Sequence, residues 1–232
     1  LALTPQNNEA FLREVDDELR RDQMTHVWRN YGRWILATIV LALALLAGWI
    51  YWQHHQETVA GEQGLVFRGA IADLGANKMK EAEGPLKQLA ASDAAGYRTM
   101  AKFTQADLLL IKNDLKGAAA IFADVAKDET LPQPFRDLAL VRQTSAEYDT
   151  LQPQAVIDRL GKLAVKDNAW FGSAGELVAA AYLRAGKRDV AGKLYGEIAR
   201  DETVPASIRQ RAVQMAGVLG VDAVVQTEEK KP

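Results

Sequence analysis

The sequence predicts an all-α protein: a single transmembrane helix followed by a solenoid of about four helix pairs plus a capping helix. Three observations predict it. Nineteen residues from Trp34 to Trp52 pass without a charge, the chain beyond them is alanine-rich and helix-friendly, and that later stretch repeats itself at a regular period.

Composition narrows the chemistry before any element is placed. The 232 residues carry 28 basic against 30 acidic side chains, so the basic surplus that nucleic-acid binding needs is missing. There are no cysteines, which excludes disulfide scaffolds, thiol nucleophiles, Cys-based zinc sites and iron–sulfur clusters. With three histidines, His-based catalysis or metal binding starts from a poor inventory.

From about Asn8 to Tyr31, apolar Phe11 or Leu12, Val15, Leu19, Val27 and Tyr31 recur at helical spacing with charges on the opposite face. This predicts an amphipathic helix, either solvated or lying on the membrane surface and continuous with the apolar run after it, or docking a cytosolic partner. That run is WILATIVLALALLAGWIYW. At 1.5 Å rise per residue it spans roughly 28 Å, about one bilayer core. Trp34 marks one end and Trp49, Tyr51 and Trp52 the other, as in the aromatic belts of membrane–water interfaces, with Gly48 just inside. The run starts too far into the chain for a cleaved signal peptide and ends in bulky aromatics instead of a small-residue cleavage site.

Flanking charge sets the orientation. Arg20, Arg21, Arg29 and Arg33 precede the span, whereas the twenty positions after it hold only Arg68. The positive-inside rule then puts residues 1–33 in the cytoplasm, residues 34–52 in the membrane and residue 53 onward outside. In a bacterium that means the inner membrane and the periplasm, where a chain without cysteine avoids unwanted oxidation.

Self-comparison organises the rest. Residues 126–139 (AKDETLPQPFRDLA) and 199–212 (ARDETVPASIRQRA) agree at seven of fourteen positions, an offset of 73. That offset is roughly twice the tetratricopeptide period of about 34 residues plus a little loop. Within each unit a small residue is followed four positions on by a large apolar one and three further by an aliphatic. Ala82, Leu86 and Leu89 form one such stripe; Ala118, Phe122 and Val125 another; Ala191, Tyr195 and Ile198 a third. Twelve residues before each Ala lies a small residue on the preceding helix: Ala70, Ala106 or Ala179. The remaining copy is centred on Ala155 with Leu160 and Leu163, and there Gln143 stands where a small residue belongs. This predicts helix pairs at 56–75 with 77–91, 96–112 with 115–128, 133–149 with 153–165 and 171–185 with 188–201. A capping helix at 206–218 closes a tetratricopeptide-like domain over 53–218, and 219–232 reads as a charged, disordered tail.

No constellation for chemistry emerges. His54 and His55 are adjacent, so on a helix they point about 100° apart and cannot share an ion. Ala185-Gly186-Lys187 lacks the upstream glycine and following Ser or Thr of a phosphate loop, and reads as a turn between helices. Asp128-Glu129 and Asp201-Glu202 occupy equivalent repeat positions before a proline, which makes them loop and helix-boundary charges, not an acid/base pair. Catalytic, cofactor and metal sites are all expected to be absent, as is a small-molecule substrate.

The charged amphipathic N-terminus, an Asn30-Tyr31-Gly32 turn into the anchor, and the anchor end Gly48-Trp49-Ile50-Tyr51-Trp52 before His-His-Gln resemble the ancillary SecYEG translocon subunit family, the YfgM-like proteins. The resemblance runs from about Glu9 to Leu219. It implies a single-span inner-membrane protein whose periplasmic tetratricopeptide-like domain associates with the SecYEG translocon and with a membrane-anchored periplasmic chaperone. The expected role is a tethered interaction module assisting secreted proteins; a periplasmic scaffold for envelope assembly is the alternative. By repeat register Phe67, Phe103, Asp107, Leu110, Glu176 and Arg184 would line a concave groove on the first helices. For Phe103 and Leu110 the competing expectation is core packing.

Overall fold

The computed structural model describes residues 5–223, with the side chains of residue 29 and of residues 31–223. The expected tail therefore lies outside the described residues from position 224 on. Helix α1 runs without interruption from Pro5 to Gly75. The sequence suggested a turn at Asn30-Tyr31-Gly32, and that is corrected: the helix passes straight through. A glycine inside a helix costs only about 1 kcal/mol. Among the described residues, one helical stretch, Tyr31–Gly75, is long and apolar enough to cross a membrane.

Contacts divide the chain into two units, 1–61 and 62–232. The first fully buried side chain after the aromatic anchor end is Ala70. In the second unit the last stretch of α1 is followed by α2 (Met79–Ala90), α3 (Ala95–Ile111), α4 (Leu115–Lys127), α5 (Gln133–Ala146), α6 (Pro153–Leu160), α7 (Phe171–Arg184), α8 (Arg188–Arg200) and α9 (Ala206–Val218). Apart from the first helix, which is the end of α1 and does not start near 56, and α6, which stops at Leu160, these match the expected pairs and cap within a few residues at each end.

One stop signal ends several of these helices. Asn77, Asn113, Gly186 and Gly220 all have positive φ, between 60° and 79°. Each is followed by a residue whose N–H reaches back to a carbonyl five positions earlier: Lys78 to Asp73, Asp114 to Leu109, Lys187 to Tyr182 and Val221 to Ala216. Asn and Gly tolerate the left-handed conformation this closure requires. The Asp-Glu-Thr copies also match. Asp128 Oδ1 accepts from the Thr130 N–H and hydroxyl at 3.0 and 2.5 Å, and Asp201 Oδ1 from those of Thr203 at 2.9 and 2.6 Å. Both carboxylates are turn-builders.

The core is a series of small clusters along the stack. Ala82, Leu86, Ala118, Phe122, Val125, Ala191 and Ile198 are at or near zero exposure, as the stripe requires. The copy between them needs a correction. Val156 and Leu160 are fully buried while Ala155 is only half-buried, so the stripe reads Val156, Leu160, Leu163. Its first-helix counterpart is then Thr144, not Gln143. Thr144 is fully buried, with its hydroxyl donating to the Leu140 carbonyl at 2.8 Å. Helix α6 also ends at Leu160, earlier than expected, because the chain turns through Gly161 to bring Leu163 back onto the core.

Residues 219–223, expected within the tail, are packed. Leu219, Val221 and Ala223 pack back onto the cluster formed by Tyr195, Ile198 and Ala199 of α8.

Candidate partner-binding surface

Helix α3 approaches α5 closely, α5 approaches α7 and α7 approaches α9, whereas the backbones of the second helices α2, α4, α6 and α8 keep apart. The first helices therefore form one layer, and the expected groove residues all sit on that layer. The structure shows what each is already doing there.

Phe67 is half-buried on the first cluster, its ring tilted against Tyr97 at 6.4 Å between centroids. Gly64 makes that approach possible: a Cβ there would stand 2.6 Å from the Tyr97 hydroxyl. Phe103 packs its ring against Phe122 at 5.9 Å and joins two clusters, one around Ala106 and Ala118, the other around Val125, Leu131 and Ala139. Leu110 packs on the first of these. The packing expectation therefore describes Phe103 and Leu110 better than groove lining does, although each keeps a partly exposed edge.

The three charged residues are engaged as well. Asp107 pairs with Arg142 of α5, with Nη1 at 3.3 Å from Oδ2 and a second contact between Nη2 and Oδ1. The Arg142 guanidinium also lies 4.6 Å from the centroid of the Phe122 ring, so one cation serves a carboxylate and a buried aromatic. Glu176 accepts from Arg211 of α9 through Nε at 3.0 Å and Nη2 at 2.6 Å, and this fork holds the arginine's pKa above its ordinary value. Arg184 donates to the Tyr148 and Leu151 carbonyls at 2.8 and 3.1 Å and rests 5.1 Å from the Tyr148 ring centroid. It ties α7 to the loop before α6. Burial pushes the nearby Tyr195 hydroxyl up to about 12, with the Glu176 charge adding to it.

The structure brings these residues into one layer but not into one pocket. The first-helix pairing is also what sequence reading missed: Arg142 and Arg211 were not singled out. A signal existed, since each lies 35 positions after its carboxylate, close to the repeat period.

In the first unit Trp34, Trp49, Tyr51 and Trp52 are all exposed, between 64% and 75%. Gly48 has open space where a side chain would stand. Tyr51 and His55, one turn apart, stack their rings nearly parallel at 6.4 Å. Arg29 and Arg33 are exposed; the side chains of Arg20 and Arg21 lie outside the described residues. Among the described residues no group of three His, Asp or Glu side chains is placed to hold a metal ion.

No solved structure matches the chain. It is 23% identical over 192 residues to the ancillary SecYEG translocon subunit of Escherichia coli (strain K12), covering 82% of this chain and 91% of that protein. This agrees with the resemblance carried by the anchor end and the repeats. The pattern of the tetratricopeptide repeat-like domain family matches residues 25–216, from before the anchor to the last helix. With four helix pairs in one layered stack and most of its length matched, the chain belongs to the tetratricopeptide repeat-like domain family.

Proposed function

We propose that this chain is a membrane-anchored interaction module ancillary to the Sec translocon, which assists the handover or chaperoning of secreted proteins on the periplasmic side. One observation carries the reading: the likeness to an ancillary SecYEG subunit extends over most of both proteins. In this reading residues 1–33 are cytoplasmic, residues 34–52 cross the inner membrane once, and the helix pairs stand in the periplasm. Tethering keeps the domain near the channel exit, and the raised local concentration compensates for weak intrinsic affinity. The first-helix layer, which carries Phe67 and the Asp107 and Glu176 ion pairs, is the surface offered to an extended segment of a client or of a membrane-anchored chaperone. The role involves binding and has no catalytic step.

Co-purification from gently solubilised membranes tests it. Enrichment of channel subunits is the expected result. Enrichment of envelope-assembly proteins without channel subunits would overturn the translocon role in favour of a periplasmic scaffold.

A further inference from the structure

The segment after α9 occupies a channel that two glycines open on α8. Gly192 and Gly196 lie one turn apart, and both are buried. A Cβ at Gly192 would stand 3.0 Å from Val221 Cγ2 and 3.2 Å from the Leu219 Cβ. A Cβ at Gly196 would stand 3.0 Å from Val221 Cγ1 and 3.2 Å from Arg200 Nη2. Even an alanine methyl at either position would make the segment give by a few tenths of an ångström, and a branched side chain would need the space that Val221 fills. At the far end Arg200 Nη1 donates to the Asp222 carbonyl at 3.1 Å, and Ala223 is 3% exposed. The channel therefore reads three features of its occupant: a branched side chain over the glycines, a backbone carbonyl toward the arginine, and a small residue two positions beyond the branched one. Among the described residues the occupant runs from Leu219 to Ala223, and Gly220, at φ +79°, is the hinge on which it turns back.

We propose that this channel is a binding site for an extended apolar segment of a partner, and that Leu219–Ala223 is its resident intramolecular occupant, a strap that such a segment displaces. A short flexible tether supplies an effective concentration of the order of millimolar. The strap thus stays seated if the same segment, free in solution, would bind with a Kd of about 1 mM or tighter. A longer partner segment of the same chemistry gains further contacts and wins the exchange. Only this chain is needed to test the idea, so its failure and the failure of the translocon reading are separate events.

The probe is a capped peptide of residues 217–223, Gly-Val-Leu-Gly-Val-Asp-Ala, added to the membrane-reconstituted chain while the amide resonances of Gly192 and Gly196 are followed. Two opened forms are compared with the full chain: one ending at Gly220, and the full chain carrying Val221→Asp. Both glycine signals should shift in the opened forms, with at least tenfold weaker response in the parent. Adding Gly196→Val to either opened form should abolish the Gly192 shift. The proposal is overturned if the opened forms keep parental helix content yet ignore the peptide, or if the parent responds as strongly as they do. It is equally overturned if both opened forms unfold, because the strap would then be part of the core. If only the shortened chain unfolds, Val221→Asp decides between these outcomes.

Discussion

Arg211 grips Glu176 from the neighbouring first helix at two points, Nε to Oε1 at 3.0 Å and Nη2 to Oε2 at 2.6 Å. Earlier in the stack Arg142 holds Asp107 in the same way, and both pairs span 35 positions. Ion pairs between α3 and α5 and between α7 and α9 thus lace a layer whose apolar contacts run mostly through the second helices.

The Glu176–Arg211 pair should show a measurable coupling. A double-mutant cycle with Glu176→Gln and Arg211→Met is expected to give about 0.5–1 kcal/mol, since Arg211 is 56% exposed. Coupling should fall as salt is raised. Zero coupling at low salt would mean the fork does not persist in solution.

The corrected register predicts opposite behaviour for adjacent residues. Val156→Ala removes fully buried methyl groups and should cost roughly 1–3 kcal/mol in denaturant unfolding. Ala155→Ser, at a half-buried position, should cost about 0.5 kcal/mol or less. Reversed magnitudes would restore Ala155 to the stripe.

Phe103 and Leu110 should behave as packing residues. Changing both to Ser leaves Phe122 without its ring partner and buries hydroxyls, so stability should fall by at least about 3 kcal/mol. A double variant that melts like the parent but loses partner capture would return both residues to the groove.

Acid stability should depend on the two Asp-Thr turns. The Thr203 hydroxyl, then its amide, holds the Asp201 carboxyl below its ordinary value of 3.8. The Thr130 hydroxyl does the same for Asp128. A depressed folded pKa stabilises fully above 3.8, the unfolded value, and that stabilisation is lost as pH falls through the lower folded value. Thr203→Val should therefore move the Asp201 titration, followed by carboxyl carbon NMR, up toward 3.8 and leave Asp128 in place. An unmoved Asp201 would assign the shift to some other donor.

Orientation is testable by fusion. A reporter active only outside the cytoplasm should work after Pro232 and fail before Arg29, as Arg20, Arg21, Arg29 and Arg33 dictate. The reverse pattern would falsify the N-in topology and with it a role at the channel exit.

Most helix boundaries were legible because their signals are local. Asn77, Asn113 and Gly186 sit where a left-handed stop is needed, and the stripes at Ala82, Ala118 and Ala191 have one spacing. The third pair hid its register because Thr144 and Val156 replace alanines, so the nearby Ala155 drew the alignment one residue off. Groove assignments were less legible: register places a side chain on a helix but does not say which neighbour claims it. Phe103 is claimed by Phe122 and Asp107 by Arg142, both through contacts from other helices. The strap escaped notice for the same reason, since Gly192 and Gly196 signal close approach only once Val221 is known to lie above them.

From α2 to α9, helices that touch are never more than two apart in chain order. Each helix pair can therefore find all of its neighbours as soon as the next one or two helices exist, with no long loop to close. A chain wired this way suits delivery end-first through a narrow channel: its native contacts form in the order the residues arrive, and no early segment waits exposed for a late one.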